Sequence, residues 1–424
     1  MKPVVIAGGG ISGLSTAYYL SKAGIPVTLI EREPQLGGFL QTEIVDDCVI
    51  EHGPDSFINS KPWARELIEE LGIGDQLIGS KDHLRATYIW RGGRMIKMPE
   101  GLTLMVPARF GPVMRTPLLG WGAKLRMLAE ITRRPVKEQE DRSVADFVKD
   151  HYGQEVVDYL AEPLLAGVYG GDVTQLSAAS VLPRFVEWEA QYGSVSRGAM
   201  KAASASPSPL FGTLKQGFGQ LISELKHQTK AEFIQGKVEK IEKGYRIRVN
   251  GDWMEADQVV VACKPELVLP SLFPPMTYSS STVVALLFNK SEFTHPLNGF
   301  GFLVPKKERK SIAACTWVGT KFDHRVPADK VLLRCFVNGQ VKDVLPELRQ
   351  KMGITATPIL ERVIPWPDSM PQYTVGHAVR IQLIEQMLKD FPGLHLVGNA
   401  YYGIGIPDCI RMAKQVAQKI ITAS

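Results

Sequence analysis

Pro3-Val-Val-Ile-Ala-Gly8-Gly9-Gly10-Ile11-Ser12-Gly13 is the stretch whose reading decides the fold. An apolar run of strand type ends in Gly8-x-Gly10-x-x-Gly13. Leu14, Ala17 and Tyr18 then continue an apolar stripe at helical spacing, and Gly24 ends it. Gly8 lets the chain turn sharply. Gly10 presents no Cβ to an approaching pyrophosphate. Gly13 lets the helix pack close to the strand, and the free N–H groups at the helix start favour negative charge. A second buried strand, Pro26-Val-Thr-Leu-Ile30, brings Glu31 to its end, where a carboxylate takes a ribose hydroxyl. The expectation is a βαβ dinucleotide unit. The alternative is a glycine-rich turn with no ligand.

Glu31-Arg32 is followed by Gly37-Gly38. An NAD unit needs only the first βαβ element and the acid. A second glycine pair after the acid resembles FAD oxidoreductases related to glutathione reductase and monoamine oxidase, where it lets the backbone bend beneath the dinucleotide. Taken alone, the pair also fits an ordinary loop. Ile50-Glu51-His52-Gly53-Pro54-Asp55-Ser56-Phe57 is another tight turn before a polar group. The expected cofactor is non-covalent FAD. Its expected holders are Gly8, Gly10, Ile11, Ser12, Gly13, Glu31, Arg32, Gly37, Gly38, Gly53, Pro54, Val238, Gly398, Gly405 and Ile406.

The 424 residues exceed one core of usual size, so roughly two or three domains are expected. A formal charge of +5 neither demands nor excludes an anionic partner, and no nucleic acid is expected. The first strand starts at Pro3 and leaves no signal-peptide pattern; no apolar run approaches the ~20 residues of a membrane span. The five cysteines are dispersed and odd in number, which argues against a disulfide framework and for a reducing cytoplasm. The eight histidines form no metal-ligand pattern, so no metal is expected.

The expected fold class is α/β and α+β. A Rossmann-type FAD-binding domain is assembled from discontinuous segments 1–84, 212–270 and 385–424. A helical insertion covers 85–211, and an antiparallel-sheet substrate domain covers 271–384. Strands split by Gly236, Gly244 and Gly251 are expected in the middle piece, with Asn250-Gly251 as a hairpin turn. The helical insertion mixes Leu102, Leu104, Met105, Val106, Phe110, Val113, Met114, Leu118, Leu119 and Trp121 with Arg109, Arg115, Lys124, Arg126, Arg133 and Arg134. Such a mixture suits a membrane interface, or a subdomain whose apolar side covers a substrate channel; both readings stay open. Residues 202–209, rich in Ala, Ser and Pro, are expected to form a mobile loop.

Several segments together resemble one family, the porphyrinogen oxidases of haem biosynthesis. They are the glycine motif, Glu31 with Gly37-Gly38, Gly53 to Phe57, Ala161 to Asp172, Met370-Pro-Gln-Tyr373-x-x-Gly376-His377 and Gly398-Asn-Ala-Tyr-Tyr-Gly403-Ile-Gly405-Ile-Pro-Asp408-Cys-Ile. The resemblance implies oxidation of a porphyrinogen to a porphyrin, with oxygen as the usual flavin oxidant. Bridging methylenes lose hydride to the flavin and N–H protons leave. The helix after Gly405-Ile406-Pro407 is expected to aim its N-terminus at the negative charge of a reduced flavin.

The resemblance also supplies candidate substrate residues. Asp55 is the candidate catalytic residue, accepting from pyrrole N–H groups and holding developing positive charge; its alternative is a turn or capping carboxylate before Pro62. Lys61 is read as meeting a propionate, or as a solvated lysine. Gly167 and Tyr169 correspond to a pair beside the macrocycle, and Tyr169 also suits core packing. Many relatives acting on protoporphyrinogen carry an arginine where Thr87 stands, before Tyr88-Ile89-Trp90. A small hydroxyl residue there, together with the Gly405-Ile-Pro-Asp-Cys409 ending, leans towards coproporphyrinogen III, although Arg85, Arg91 or Arg94 could supply the charge. Phe39 departs from the basic residue or tryptophan usual after the second glycine pair. Further expectations are hand-over to a ferrochelatase, a monomer or homodimer, and peripheral contact with the cytoplasmic membrane face. The rivals are an amine oxidase, a carotenoid desaturase and a flavin-free escort protein of the same fold; Tyr401-Tyr402 superficially suggests the aromatic pair of the first.

Overall fold

The structure, a computed structural model, describes residues 2–135, 140–202, 209–270, 272–273, 276–338 and 343–423. Five short apolar strands form a parallel sheet in the order Glu232–Gln235, Val27–Glu31, Val4–Ala7, Val259–Val261 and Leu394–Leu396. The strand neighbours come from three distant parts of the chain, and all four pairings are parallel. Val5, Ile6, Leu29 and Val260 are fully buried, as strands covered on both faces require. The helices Ile11–Lys22 and Ile406–Ala423 pack side by side and close one core, with Leu14, Ala17, Ile410 and Ala417 inside it. Beyond this sheet, Arg246–Val249 and Asp252–Glu255 form the expected hairpin. Asn250 and Gly251 take φ of 51° and 94°, as a tight two-residue turn demands.

Between these pieces the chain makes two excursions that meet in one seven-stranded sheet. Its order is Leu360–Pro371, Tyr278–Asn289, Lys330–Val337, Ile312–Trp317, Gly301–Leu303, Thr87–Arg91 and Arg94–Lys97. Two expectations need correction. The segment 85–211 is not helical at its start, because Thr87–Arg91 bonds to Gly301–Leu303 and extends the large sheet. That pairing is parallel, whereas the five strands contributed by 271–384 pair antiparallel throughout, as expected. The divisions at 211/212 and 384/385 cut the strand Phe211–Leu214 and the helix His377–Leu388. Phe211–Leu214 itself pairs with Phe57–Ile58 and Leu77–Gly79, tying the excursion to the dinucleotide unit.

The helical part begins after Arg94–Lys97. Met105, Val106, Val113, Leu118 and Leu119 enter its core with Phe147 and Leu160, while Trp121 remains 67% exposed. The two readings of that apolar set therefore separate by residue: most of it is core and a minority faces out. No helix among the described residues is long and apolar enough to cross a membrane. Most of the loop expected over 202–209 lies outside the described residues.

Candidate cofactor and substrate site

The first glycine motif folds as its spacing demands. Gly8 takes φ of 111°, and a Cβ on Gly13 would lie 1.9 Å from the Gly8 carbonyl oxygen. A Cβ on Gly10 would meet nothing nearer than Gly38 Cα at 3.9 Å, so its open side can admit a ligand. Gly10 starts the helix Ile11–Lys22 with no side-chain cap and no acid in the first turn. The N–H groups there remain available for a phosphate. Gly37 and Gly38, at φ of 114° and 60°, pack backbone to backbone on Gly9 and Gly10: the Gly37 N–H donates to the Gly9 carbonyl at 2.8 Å. The Glu31 carboxylate accepts from the N–H of Gly9 at 2.6 Å and of Glu33 at 2.9 Å. Arg32 points to solvent beside Glu33. Val238 lies just beyond the strand that pairs with Glu31, at the same edge. These features fit a dinucleotide.

Gly53 continues the cradle, since a Cβ there would lie 2.1 Å from the Phe39 carbonyl oxygen. Phe39 sets its ring edge-on to Trp366, with centroids 5.1 Å apart. Asp55 is no helix cap. Its Oδ1 accepts from Lys321 at 2.9 Å and from the Ser56 hydroxyl at 2.7 Å, and its Oδ2 lies 3.4 Å from the Arg334 guanidinium. Burial opposes ionisation, but Lys321 and then Arg334 hold the carboxyl far below its ordinary range. Lys321 and Arg334 escape sequence reading. The one available signal was a charge inside the otherwise apolar run Lys330–Val337.

The motif Met370 to His377 anchors the last glycine segment. The Tyr373 hydroxyl donates to the Asn399 carbonyl at 2.6 Å and accepts from the Gly403 N–H at 3.0 Å. His377 stacks on Tyr373 at 4.0 Å and hydrogen-bonds the Tyr401 carbonyl at 2.9 Å. Tyr401 is thereby buried, while Tyr402 stays exposed, so the two do not stand as an aromatic pair. Gly398, at φ of 134°, and Gly405 lead into Ile406–Ala423. Asp408 sits in the first turn of that helix, and Lys61 pairs with it at 2.6 Å. Lys61 is thus tied to the helix end rather than standing free.

Tyr169 closes against Tyr373 edge-on at 5.9 Å, and burial pushes its hydroxyl up to about 12. Gly167 is exposed, two residues earlier in the helix Glu162–Tyr169. Thr87 is half-buried at the start of its strand. Arg91 is committed to Glu155 at 2.7 Å and stacks on Tyr159, whereas Arg94 is exposed. Among the described residues one group of the kind that takes a cation comes together, Asp150, His151 and Glu189, and Arg133 and Arg142 already pair with its carboxylates. The cysteines are free.

Comparison with known proteins agrees with this geometry. The family model described as flavin containing amine oxidoreductase matches residues 11–421. The chain is 32% identical to the coproporphyrinogen III oxidase of Bacillus subtilis, over 99% of this chain and 98% of that one. It is 26% identical to the mitochondrial protoporphyrinogen oxidase of Nicotiana tabacum, over 99% and 95%. A crystal structure from Exiguobacterium sp. 255-15, assigned as a protoporphyrinogen oxidase, superposes with a TM-score of 0.89 at 30% identity, covering 100% of this chain and 99% of that one. A putrescine oxidase structure shares the fold at a TM-score of 0.67 and 17% identity, covering 99% of each chain. The chain belongs to the flavin-containing amine oxidoreductase family, among its FAD-dependent porphyrinogen oxidases.

Proposed function

We propose that this protein oxidises a porphyrinogen to the corresponding porphyrin in haem biosynthesis, with coproporphyrinogen III preferred to protoporphyrinogen IX and O2 as the final acceptor. The preference is carried by Thr87. It stands where protoporphyrinogen enzymes are expected to offer arginine, and the nearby Arg91 is already spent on Glu155. The names of the similar Bacillus, Staphylococcus and Propionibacterium enzymes support the same choice.

Bound FAD would supply the acceptor for a hydride from a bridging methylene. The chain's own residues bind and orient. Asp55 keeps acceptor capacity on Oδ2, where its one close partner among the described residues is Arg334 at 3.4 Å, and there it receives a pyrrole N–H. Gly167, Tyr169, Thr87 and Lys61 contact the macrocycle and its carboxylates, Lys61 by exchanging Asp408 for a propionate. Asp55→Ala lowers turnover by about 100-fold with flavin absorbance retained. Unchanged turnover removes Asp55 from the reaction.

The reading extends to a cytoplasmic protein, monomeric or dimeric, that hands its product to a ferrochelatase. Trp121 and Leu125, one turn apart and 67% and 59% exposed, support contact with a membrane surface. Co-flotation with anionic vesicles, lost in Trp121→Ala, tests that contact; no flotation of the unaltered protein contradicts it.

A further inference from the structure

Five charged side chains form one buried cluster where the dinucleotide unit meets the large sheet. Glu51 pairs with Arg325 at 2.8 Å, with side-chain exposures of 2% and 1%. Asp55 pairs with Lys321 and Arg334, all three at least largely buried. Glu51 and Arg325 also act on the Arg334 guanidinium, which joins the two groups. Two acids and three bases leave one positive charge in excess. Nε of Arg334 and both Nε and Nη1 of Arg325 are buried without a hydrogen-bond partner. An uncompensated buried cation is costly unless negative charge arrives nearby.

The cluster grips the cradle. Arg334 donates to the Gly53 carbonyl, Trp366 donates to the His52 carbonyl at 2.8 Å, and Lys321 reaches Asp55 and Ser56. Three separate segments of the large sheet region thus hold four of the five positions from His52 to Ser56, all but Pro54. A contiguous backbone path leads from there to the dinucleotide helix, through Gly53 on Phe39 and Gly38 on Gly10.

We propose that Lys321 and Arg334 are positioning residues that fix the loop from His52 to Ser56 and keep a net positive charge beside the cofactor, favouring its reduced state. Each oxidation sends two electrons to FAD as hydride from a methylene, and a proton leaves from a pyrrole nitrogen. The electrons add negative charge to the cofactor, and the cluster's excess charge offsets it. The inference rests on FAD binding and not on which porphyrinogen is used.

The test is the midpoint potential of the FAD-loaded protein, measured without substrate. Lys321→Met lowers it, Lys321→Arg restores it, and Asp55→Asn raises it. Opposite shifts from the two partners of one ion pair are not produced by loosened packing, which moves both variants the same way. Unshifted potentials in Lys321→Met and Asp55→Asn with FAD retained overturn the proposal, as do shifts of the same sign. If Lys321→Met loses FAD, Asp55→Asn alone decides, because its expected rise stands against both no change and a fall.

Discussion

At the residue scale, the three glycines of the opening motif do different work, and substitution separates them. Alanine at Gly13 has no room, since its Cβ would overlap the Gly8 carbonyl oxygen. Gly13→Ala is expected to destabilise the fold itself. Gly10 has φ of −69° and an open side, so Gly10→Ala keeps the melting temperature of the cofactor-free protein while weakening FAD binding by roughly tenfold or more, about 1.4 kcal/mol. Thermal melts and FAD titration of both variants check this; equal FAD affinity in Gly10→Ala contradicts the placement of the pyrophosphate. These positions were legible because the constraint is local, within six residues of sequence. Asp55 was legible as a polar group after a tight turn, but its partners were not. Lys321 lies 266 positions away, and an ion pair across that separation leaves no periodic trace.

At the element scale, the helical insertion is held by a buried charge cluster. His151 lies between Glu130 and Glu189, 2.9 Å from each, and Glu130 also accepts from Ser194 and the N–H groups of Val195 and Ser196. Burial lowers the His151 pKa, yet the two carboxylates raise it on balance above its ordinary 6.5. Burial likewise raises the carboxyls, and His151, with Ser194 and Ser196 at Glu130 and Arg142 at Glu189, brings both down on balance. A raised histidine contributes stability that is complete below its unfolded value and disappears as pH rises through the folded value. The depressed carboxyls contribute stability that disappears as pH falls through theirs. Thermal stability therefore peaks between these limits. His151→Asn removes the alkaline decline above about pH 6.5, and Glu130→Gln costs about 3 kcal/mol by leaving His151 half-paired. Melts across that range check it; parallel curves for unaltered protein and His151→Asn contradict the linkage. The Asn250-Gly251 hairpin was legible because its turn chemistry is local. The place of the strand Thr87–Arg91 in the large sheet was not legible, because its partner Gly301–Leu303 is more than two hundred residues away.

At the scale of the whole molecule, the site is built where separated pieces of chain converge. The parallel sheet gathers three of them, and the cofactor cradle follows from that gathering. The large sheet supplies Arg334 and Trp366, and the short helix Val318–Lys321 after one of its strands supplies Lys321, to the same loop, and the segment from Met370 to His377 ties down the last glycine turn. Cofactor class could be read from sequence since short motifs carry it. The electrostatic surroundings could not, since they arise only when the two sheets meet. The central claim is that this assembly oxidises a porphyrinogen. Its most direct test is the absorption spectrum of the purified protein, followed by porphyrin fluorescence in air with coproporphyrinogen III and protoporphyrinogen IX side by side. A yellow protein that oxidises coproporphyrinogen III faster is the predicted result. A yellow protein that oxidises neither contradicts the account.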